Sequence, residues 1–117
     1  SYGELRGIDA MSGERMWQSD AMTAQDRFGT AYFVRHGDRH FVTNDSGELI
    51  IARFTPEGYH EIDRTPLLEP TLRTRGGASG RWNDRTVLWA HPAFANQHVV
   101  ARNDREIIRA SLAAADY

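Results

Sequence analysis

Four arginines and one tryptophan stand close together in residues 71–85 of this 117-residue chain, which read TLRTRGGASGRWNDR. Arginine binds carboxylates and phosphates through paired hydrogen bonds, and tryptophan supplies a stacking surface. The segment therefore predicts a loop that binds a carboxylate, a phosphate or a sugar. The alternative is a solvated insertion whose charges are partly met by Glu69 and Asp84. The candidate ligand-binding residues are Arg73, Arg75, Arg81, Trp82 and Arg85.

Histidines offer a second kind of chemistry, metal ligation. His36 and His40 flank a predicted hairpin turn, where they could face each other and a third histidine could complete a site. A structural zinc site usually takes four ligands and often uses cysteine, which this chain lacks. We predict no metal site, and we place His36 and His60 in turns or on a solvated face. The five histidines are His36, His40, His60, His91 and His98.

No set of residues specifies a reaction. A serine, histidine and aspartate in catalytic order does not stand out, and the glycine-rich residues 76–80 lack the Lys-Ser/Thr ending of a phosphate-binding loop. We therefore predict no catalytic residue. Four acidic or amide residues are predicted to form turns by bonding nearby backbone, with calcium ligation as the alternative. They are Asp38, Asp45, Asn103 and Asp104.

Composition excludes several classes of protein. The chain is 40% hydrophobic and 26% charged with a formal net charge of -2, which argues against general nucleic-acid binding. No apolar run is long enough to span a membrane, and without cysteine there is no disulfide or thiol chemistry. All 14 basic residues are arginine, which we attribute to a GC-rich genome.

A repeated phrase predicts the architecture. Residues 47–54 and 59–64 have the pattern of two strands, joined by a turn at residues 55–58 that contains proline and glycine. Gly3-Glu4-Leu5 recurs 44 residues later as Gly47-Glu48-Leu49, and Glu106-Ile107 repeats Glu48-Leu49 at an offset of 58. A period in the forties made of four short strands indicates the blades of a β-propeller.

The predicted fold is therefore all-β, with antiparallel four-stranded blades, about two and a quarter of them. Residues 1–26 supply the last two strands of a blade and a connection, 27–70 a complete blade, and 71–85 the Arg/Gly-rich loop. Residues 86–117 supply the first three strands of a terminal blade, beginning with a strand over 86–92. Because two and a quarter blades cannot close a ring, we expect the C-terminal portion of a larger propeller.

Aromatic residues are predicted to fill the interior and the spaces between blades. They are Trp17, Tyr32, Phe33, Phe41, Phe54, Tyr59, Trp89 and Phe94.

Residues 3–17, GELRGIDAMSGERMW, resemble the repeat phrase of pyrroloquinoline-quinone-like β-propellers, G-x-L-x-A-L-D-A-x-T-G-x-x-x-W. Asp9, Gly13 and Trp17 match that phrase, while Ser12 replaces its threonine, and in the second unit Tyr59 replaces the tryptophan. In that family the Asp-containing turn joins the third and fourth strands, and the tryptophan docks between blades. Residues 89–93, WAHPA, are similar to the family's W-S-H-P-V opening of a terminal blade. The resemblance implies structural roles for Asp9, Gly13, Trp17, Gly47, Trp89, His91 and Pro92.

The resemblance implies more than one function. We favour a non-catalytic repeat segment that serves as a protein- or ligand-binding scaffold without a cofactor. Its partners would be the remaining blades or other chains, with a small molecule or glycan as a further ligand. The alternative is part of a quinone-dependent dehydrogenase that binds pyrroloquinoline quinone with calcium. A second alternative is a carbohydrate-binding accessory that uses Trp82 and the arginine loop. The family also implies a bacterial protein in the periplasm or secreted.

Overall fold

The protein is built from short antiparallel β-strands, and the computed structural model describes residues 2–74 and 85–114. Within those two ranges the chain forms eleven strands and no helix. The strands are β1 (Leu5–Ile8), β2 (Arg15–Ser19), β3 (Ala31–His36), β4 (Arg39–Asn44), β5 (Glu48–Thr55), β6 (Gly58–Pro66), β7 (Leu72–Arg73), β8 (Thr86–Val87), β9 (Ala93–Ala95), β10 (His98–Arg102) and β11 (Ile107–Ser111). The predicted all-β, antiparallel fold class is confirmed.

The strands form four sheets in which sequence neighbours pair. The central sheet has four strands in the order β3-β4-β5-β6, and the sheet that follows has three, β9-β10-β11. β1 pairs with β2, and β7 pairs with β8. This up-and-down order needs only tight turns between neighbours, because antiparallel strands can be joined by two residues.

Two hairpins have two-residue turns that each begin with a residue of positive φ. Residues 37 and 38 join β3 to β4, and residues 96 and 97 join β9 to β10, 59 positions later in the sequence. Gly37 has a φ of 63°, and Asn96 and Gln97 have φ values of 48° and 58°. Positive φ in two-residue turns matches the right-handed twist of the strands that they connect. The two hairpins are therefore equivalent parts of successive units.

Two glycines show that the 44-residue repeat is also a repeat of structure. Gly3 and Gly47 have φ values of 80° and 78°. A Cβ atom on Gly3 would overlap the carbonyl oxygen of Ala24, and one on Gly47 would overlap that of Leu68. In both units the segment that passes over the glycine therefore lies 21 residues downstream.

The strand predicted over residues 86–92 is shorter than expected. Only Thr86–Val87 is extended and paired, and its partner is Leu72–Arg73, within the segment that was predicted to be a loop. The backbone N–H of Leu88 donates to the carbonyl oxygen of Asp45 at 2.8 Å. That bond draws the chain away from β7 and toward the central sheet. The two ends of the Arg/Gly-rich segment are thus held together by the pairing of β7 with β8.

The sheet β9-β10-β11 begins after Pro92, not at residue 86 as predicted. Pro92 is buried and lacks a backbone N–H, so it cannot donate to a neighbouring strand and the sheet starts with the next residue. Pro92 therefore lies in no strand and directly precedes β9.

Aliphatic side chains and one methionine, and not the aromatic rings, form the two buried clusters of the interior. Phe33 is 42% exposed and Trp89 is 37% exposed, so their predicted place in the core is wrong. Packing between closely spaced strands favours compact side chains, while the larger rings lie half-buried at the margins. One buried cluster is Met22, Val42, Ile50 and Ala52, and a second is Leu68, Leu88 and Ala101.

Candidate functional site

An ion-pair cluster fixes the base of the β7–β8 hairpin to the central sheet. Asp45 follows β4 directly and is fully buried. Its Oδ2 accepts hydrogen bonds from Arg85 Nη2 at 2.8 Å and from the backbone N–H of Thr30 at 3.1 Å. Arg85 Nε also lies 3.5 Å from Asp26 Oδ2, and Nη2 donates to the carbonyl oxygen of Arg27 at 3.2 Å. The guanidinium is thus held by two carboxylates and one backbone oxygen.

These contacts assign Arg85 a structural position. Its side chain is only 15% exposed, so it points into the protein. Among the described residues, the carboxylates beside its guanidinium are those of Asp26 and Asp45, whereas the expected partner Asp84 lies outside the described residues. Arg73 lies on β7 and is exposed. The other predicted ligand-binding residues, Arg75, Arg81 and Trp82, lie outside the described residues.

A second polar cluster surrounds Arg64 on β6. Its Nη1 is 2.9 Å from Glu48 Oε1, and its Nε is 2.9 Å from Glu61 Oε1. Nη2 donates to the carbonyl oxygen of Ala21 at 2.7 Å, which lies beyond the end of β2. Tyr59 completes the cluster by donating its hydroxyl to Glu61 Oε2 at 2.6 Å. The cluster therefore ties the outer strand of the central sheet to the segment that follows the first sheet.

The charges in this cluster perturb one another. The hydrogen bond from Arg64 lowers the pKa of Glu61, and the bond to Glu61 raises the pKa of Arg64. Burial, with the hydrogen bond to Glu61 as the next cause, raises the pKa of Tyr59 to about 12. All three shifts favour the ionic state present at neutral pH, a carboxylate and a guanidinium beside a neutral phenol.

We expect Tyr59 to ionise near pH 12 in the folded protein, above the ordinary tyrosine value near 10. Because the pKa is raised on folding, its contribution to stability is complete below about pH 10 and is lost as the pH rises toward 12. An alkaline titration followed by phenolate absorbance measures this, with Tyr59→Phe removing the late step. Glu61→Gln should lower the pKa of Tyr59, whereas Glu57→Gln, in the neighbouring turn, should not. A late step that survives in Tyr59→Phe contradicts the assignment.

Two asparagines make the same cross-sheet contact in successive units. Asn44 Nδ2 donates to the carbonyl oxygen of Met22 at 2.9 Å, and Asn103 Nδ2 donates to that of Glu69 at 2.9 Å. The acceptor in each case belongs to the segment that follows the preceding sheet. The Oδ1 atom of each asparagine caps the turn after its strand, accepting from Glu48 N at 3.0 Å and from Glu106 N at 2.8 Å. Each asparagine therefore shapes its own turn and attaches it to the previous unit.

The turn formed by the family phrase has the expected internal bonding. Asp9 Oδ1 accepts from the backbone N–H groups of Met11 at 2.9 Å and Ser12 at 2.8 Å. Gly13 has a φ of 76° and donates to the carbonyl oxygen of Asp9 at 2.8 Å. The backbone bonds from Ser12 and Met11 lower the pKa of Asp9. Asp9 and Gly13 thus act as turn residues between β1 and β2.

Trp17 connects the first sheet to the central one. Its indole Nε1 donates to the carbonyl oxygen of Thr55 at 3.0 Å, at the end of β5. Gly7 is paired with Trp17 across the β1–β2 ladder, and a Cβ atom on Gly7 would overlap the indole ring. Because Gly7 has no side chain, the indole ring can lie directly over its Cα. Trp17 therefore contacts two neighbouring sheets.

The residues of the second family phrase lie against the central sheet as well. The hydroxyl of Tyr32 donates to the carbonyl oxygen of Trp89 at 2.7 Å, and the rings of Tyr32 and His91 are 4.7 Å apart. His91 Nδ1 lies 2.7 Å from the carbonyl oxygen of Pro92. Since a carbonyl oxygen only accepts, Nδ1 carries the hydrogen.

The histidines contact different neighbours. His36 stacks on Phe41 with ring centroids 5.5 Å apart, whereas His40 meets the edge of Phe54 at 5.0 Å. His60 Nε2 lies 3.0 Å from Thr55 Oγ1. Within residues 2–74 and 85–114, no three histidine, aspartate or glutamate side chains are grouped as metal ligands. The same part of the chain holds no helix of the length and apolar character that crossing a bilayer requires.

Comparison with protein-family models, with curated proteins and with solved structures finds no match to this chain.

Sequence reasoning missed the long-range partners of the polar residues. Asp45 and Asn103 were recognised as turn-forming residues, and Asn103 does cap its own turn. The dipeptide Asn-Asp occurs at residues 44–45, 83–84 and 103–104, and the first and third copies stand 59 positions apart at the ends of equivalent strands. That spacing is the one signal in the sequence that relates the two asparagines, and it does not show what they contact.

Proposed function

We propose that this chain is a repeat segment of a β-propeller of the pyrroloquinoline-quinone-like type. In this proposal it serves as a non-catalytic scaffold that binds other protein surfaces through its open sheet edges and faces. Its partners are further blades or other protein chains.

The repeated attachment of one sheet to the next carries the proposal. Asn44 and Asn103 bond the backbone of the preceding unit in the same way, and Trp17 and Arg64 join the first sheet to the central one. The buried polar side chain of Asp45 and the guanidinium of Arg85 are likewise engaged in fixing segments to each other. The buried amide, carboxylate and guanidinium groups thus bond one sheet or segment to the next, as expected of a repeat whose units contact only their neighbours.

The dimensions support an open assembly. The radius of gyration is 15.7 Å, against about 13 Å for a compact domain of this length. The accessible surface is 8,049 Å², whereas a compact monomer of 13.3 kDa has about 6,400 Å². The excess on this one chain is about twice the roughly 800 Å² that one partner contributes to a standard protein–protein interface.

Exposed apolar side chains accompany this open surface. Ile107 on the edge strand β11 is 71% exposed, and several large apolar side chains on other strands are about half exposed. Among the described strands β11 has a neighbour on one side only, although the equivalent strand of the central sheet, β5, has two. Such edges and patches accept further strands or sheets. The other exposed large apolar residues on the described strands are Ile8, Met16, Phe33, Ile62 and Leu72.

Light scattering of the purified 117-residue chain at several concentrations tests the scaffold proposal. We expect the mean mass to rise with concentration, because apolar surface left open by the sheets is buried on association. Ile107→Glu should reduce this association, whereas Glu106→Gln, at the neighbouring exposed position, should leave it unchanged. A monomeric mass at all concentrations together with a cooperative melt contradicts the proposal.

A titration with pyrroloquinoline quinone and calcium separates the scaffold from the dehydrogenase. We expect no saturable change in tryptophan fluorescence. Saturable quenching together with quinone-dependent oxidation of an alcohol or sugar assigns the chain to the enzyme class instead.

A further inference from the structure

A cleft of about 340 Å³ lies between the β3–β4 turn and the β9–β10 turn of the next sheet. Its volume is at the lower end of the range for small-ligand sites, about 300–1,000 Å³. The cleft does not depend on the scaffold proposal, because both of its walls belong to the two adjacent sheets described above. Its main lining residues are His36, Phe41, Phe94, Gln97, His98 and Leu112.

Three rings form the apolar part of the cleft. Phe41 and Phe94 stack with centroids 5.3 Å apart and planes 11° apart. His36 stacks on Phe41 at 5.5 Å with an angle of 29°. Phe41 comes from the central sheet and Phe94 from the following one, so the stack spans the junction. All three rings line the cleft.

The polar part of the cleft consists of an imidazole and two carboxamides with unused hydrogen-bonding capacity. His98 Nδ1 lies 2.7 Å from the carbonyl oxygen of Asn96, so this nitrogen carries the hydrogen. No hydrogen bond joins His98 Nε2, or the carboxamides of Asn96 and Gln97, to any residue in the described ranges. Among the described residues that line the cleft there is no Asp, Glu or Arg. The described lining therefore offers an occupant an imidazole and two amides as its polar partners.

The backbone at Gln97 is unfavourable for glutamine. Its φ is 58°, at the second position of a two-residue turn where glycine is the preferred residue. A residue other than glycine, asparagine or aspartate in this left-handed region costs about 1 kcal/mol or more. The carbonyl oxygen of Gln97 also accepts from Leu112 N at 2.7 Å, which fixes the turn against the segment after β11. Gln97 thus lines the cleft from a strained but fixed turn, with its exposed carboxamide available to an occupant.

We propose that this cleft binds the ring of an uncharged sugar. A pyranose offers an apolar C–H face for the aromatic rings and hydroxyl groups that both donate and accept. The hydroxyls match the carboxamides of Asn96 and Gln97, which do both, and His98 Nε2. The described lining supplies aromatic rings and amides and no carboxylate or guanidinium, a set that suits a neutral polyol better than a phosphate, carboxylate or amine, which need a charged partner when they leave water.

Binding is tested by titrating the ¹⁵N-labelled full chain with the methyl glycosides of glucose, galactose, mannose and N-acetylglucosamine. We expect at least one glycoside to shift the side-chain amide signals of Asn96 and Gln97, with a dissociation constant of about 1–10 mM. Gln97→Gly should raise Tm by about 3–6 °C, because it relieves the backbone, and should weaken sugar binding about 3- to 10-fold. Gln18→Ala, which removes an exposed amide from β2, is the matched control and should change neither.

Several results would overturn the sugar site. One is that no glycoside shifts the cleft signals, and another is that Gln97→Gly binds the sugar as well as the unchanged chain does. Preferential binding of methyl glucuronide, or of benzyl alcohol, would show a charged or an aromatic ligand instead. A monomeric chain that binds the glycoside supports this site and contradicts the scaffold proposal. The two proposals are therefore tested independently.

Discussion

Replacing Gly47 by alanine is expected to lower the free energy of unfolding by about 3–4 kcal/mol. The backbone there has a φ of 78°, which costs an L-residue about 1–2 kcal/mol. The new Cβ would in addition overlap the carbonyl oxygen of Leu68. Because Gly47 also accepts bonds from the backbone N–H groups of Leu67 and Leu68, moving that segment away would break them. Overpacking of this kind adds about 1–3 kcal/mol.

Gly37→Ala is the matched control for this substitution. Gly37 has a φ of 63°, but a Cβ atom there meets nothing within 4 Å. We expect it to cost only about 1–2 kcal/mol, the conformational part alone. Thermal and denaturant unfolding of both variants measure the difference. Equal losses of stability would show that the segment over Gly47 is not held where the structure places it.

Replacing Arg85 by alanine is expected to cost about 3 kcal/mol, since it leaves the buried carboxylate of Asp45 without its cationic partner. The exposed pair of Arg53 and Asp38, with side chains 44% and 72% exposed, supplies the control. Arg53→Ala should cost less than about 1 kcal/mol, because solvent screens that pair. Combining Arg85→Ala with Asp45→Asn should recover part of the loss, since the uncompensated charge is then removed.

The same variants separate a structural from a ligand-binding role for Arg85. If Arg85→Ala is as mild as Arg53→Ala in urea unfolding, the guanidinium does not hold the hairpin base. Loss of phosphate or carboxylate binding with unchanged stability would then favour the arginine loop as a ligand site. We expect the opposite result, a loss of stability that Asp45→Asn partly relieves.

Local sequence features were sufficient to predict most strands and turns. Pro56 with Gly58, and Gly37 with Asp38, restrict the backbone within four residues, so the hairpins that they form follow from the sequence alone. The strand expected over residues 86–92 was wrong because its extent depends on a bond from Leu88 to Asp45, 43 positions away. Alternation of side chains cannot reveal such a partner.

The sequence by itself determined an all-β chain of antiparallel strands, the positions of its turns, and a repeat whose glycines recur with the same backbone conformation. These properties depend on φ preferences and on the period of apolar residues, which act over a few positions. Tertiary structure alone decided that Arg85 pairs with Asp45 and Asp26, that Arg64 reaches the segment after β2, and that Phe41 and Phe94 meet across a cleft. These contacts join residues about 40 to 60 positions apart, and their geometry is set by how the sheets stack.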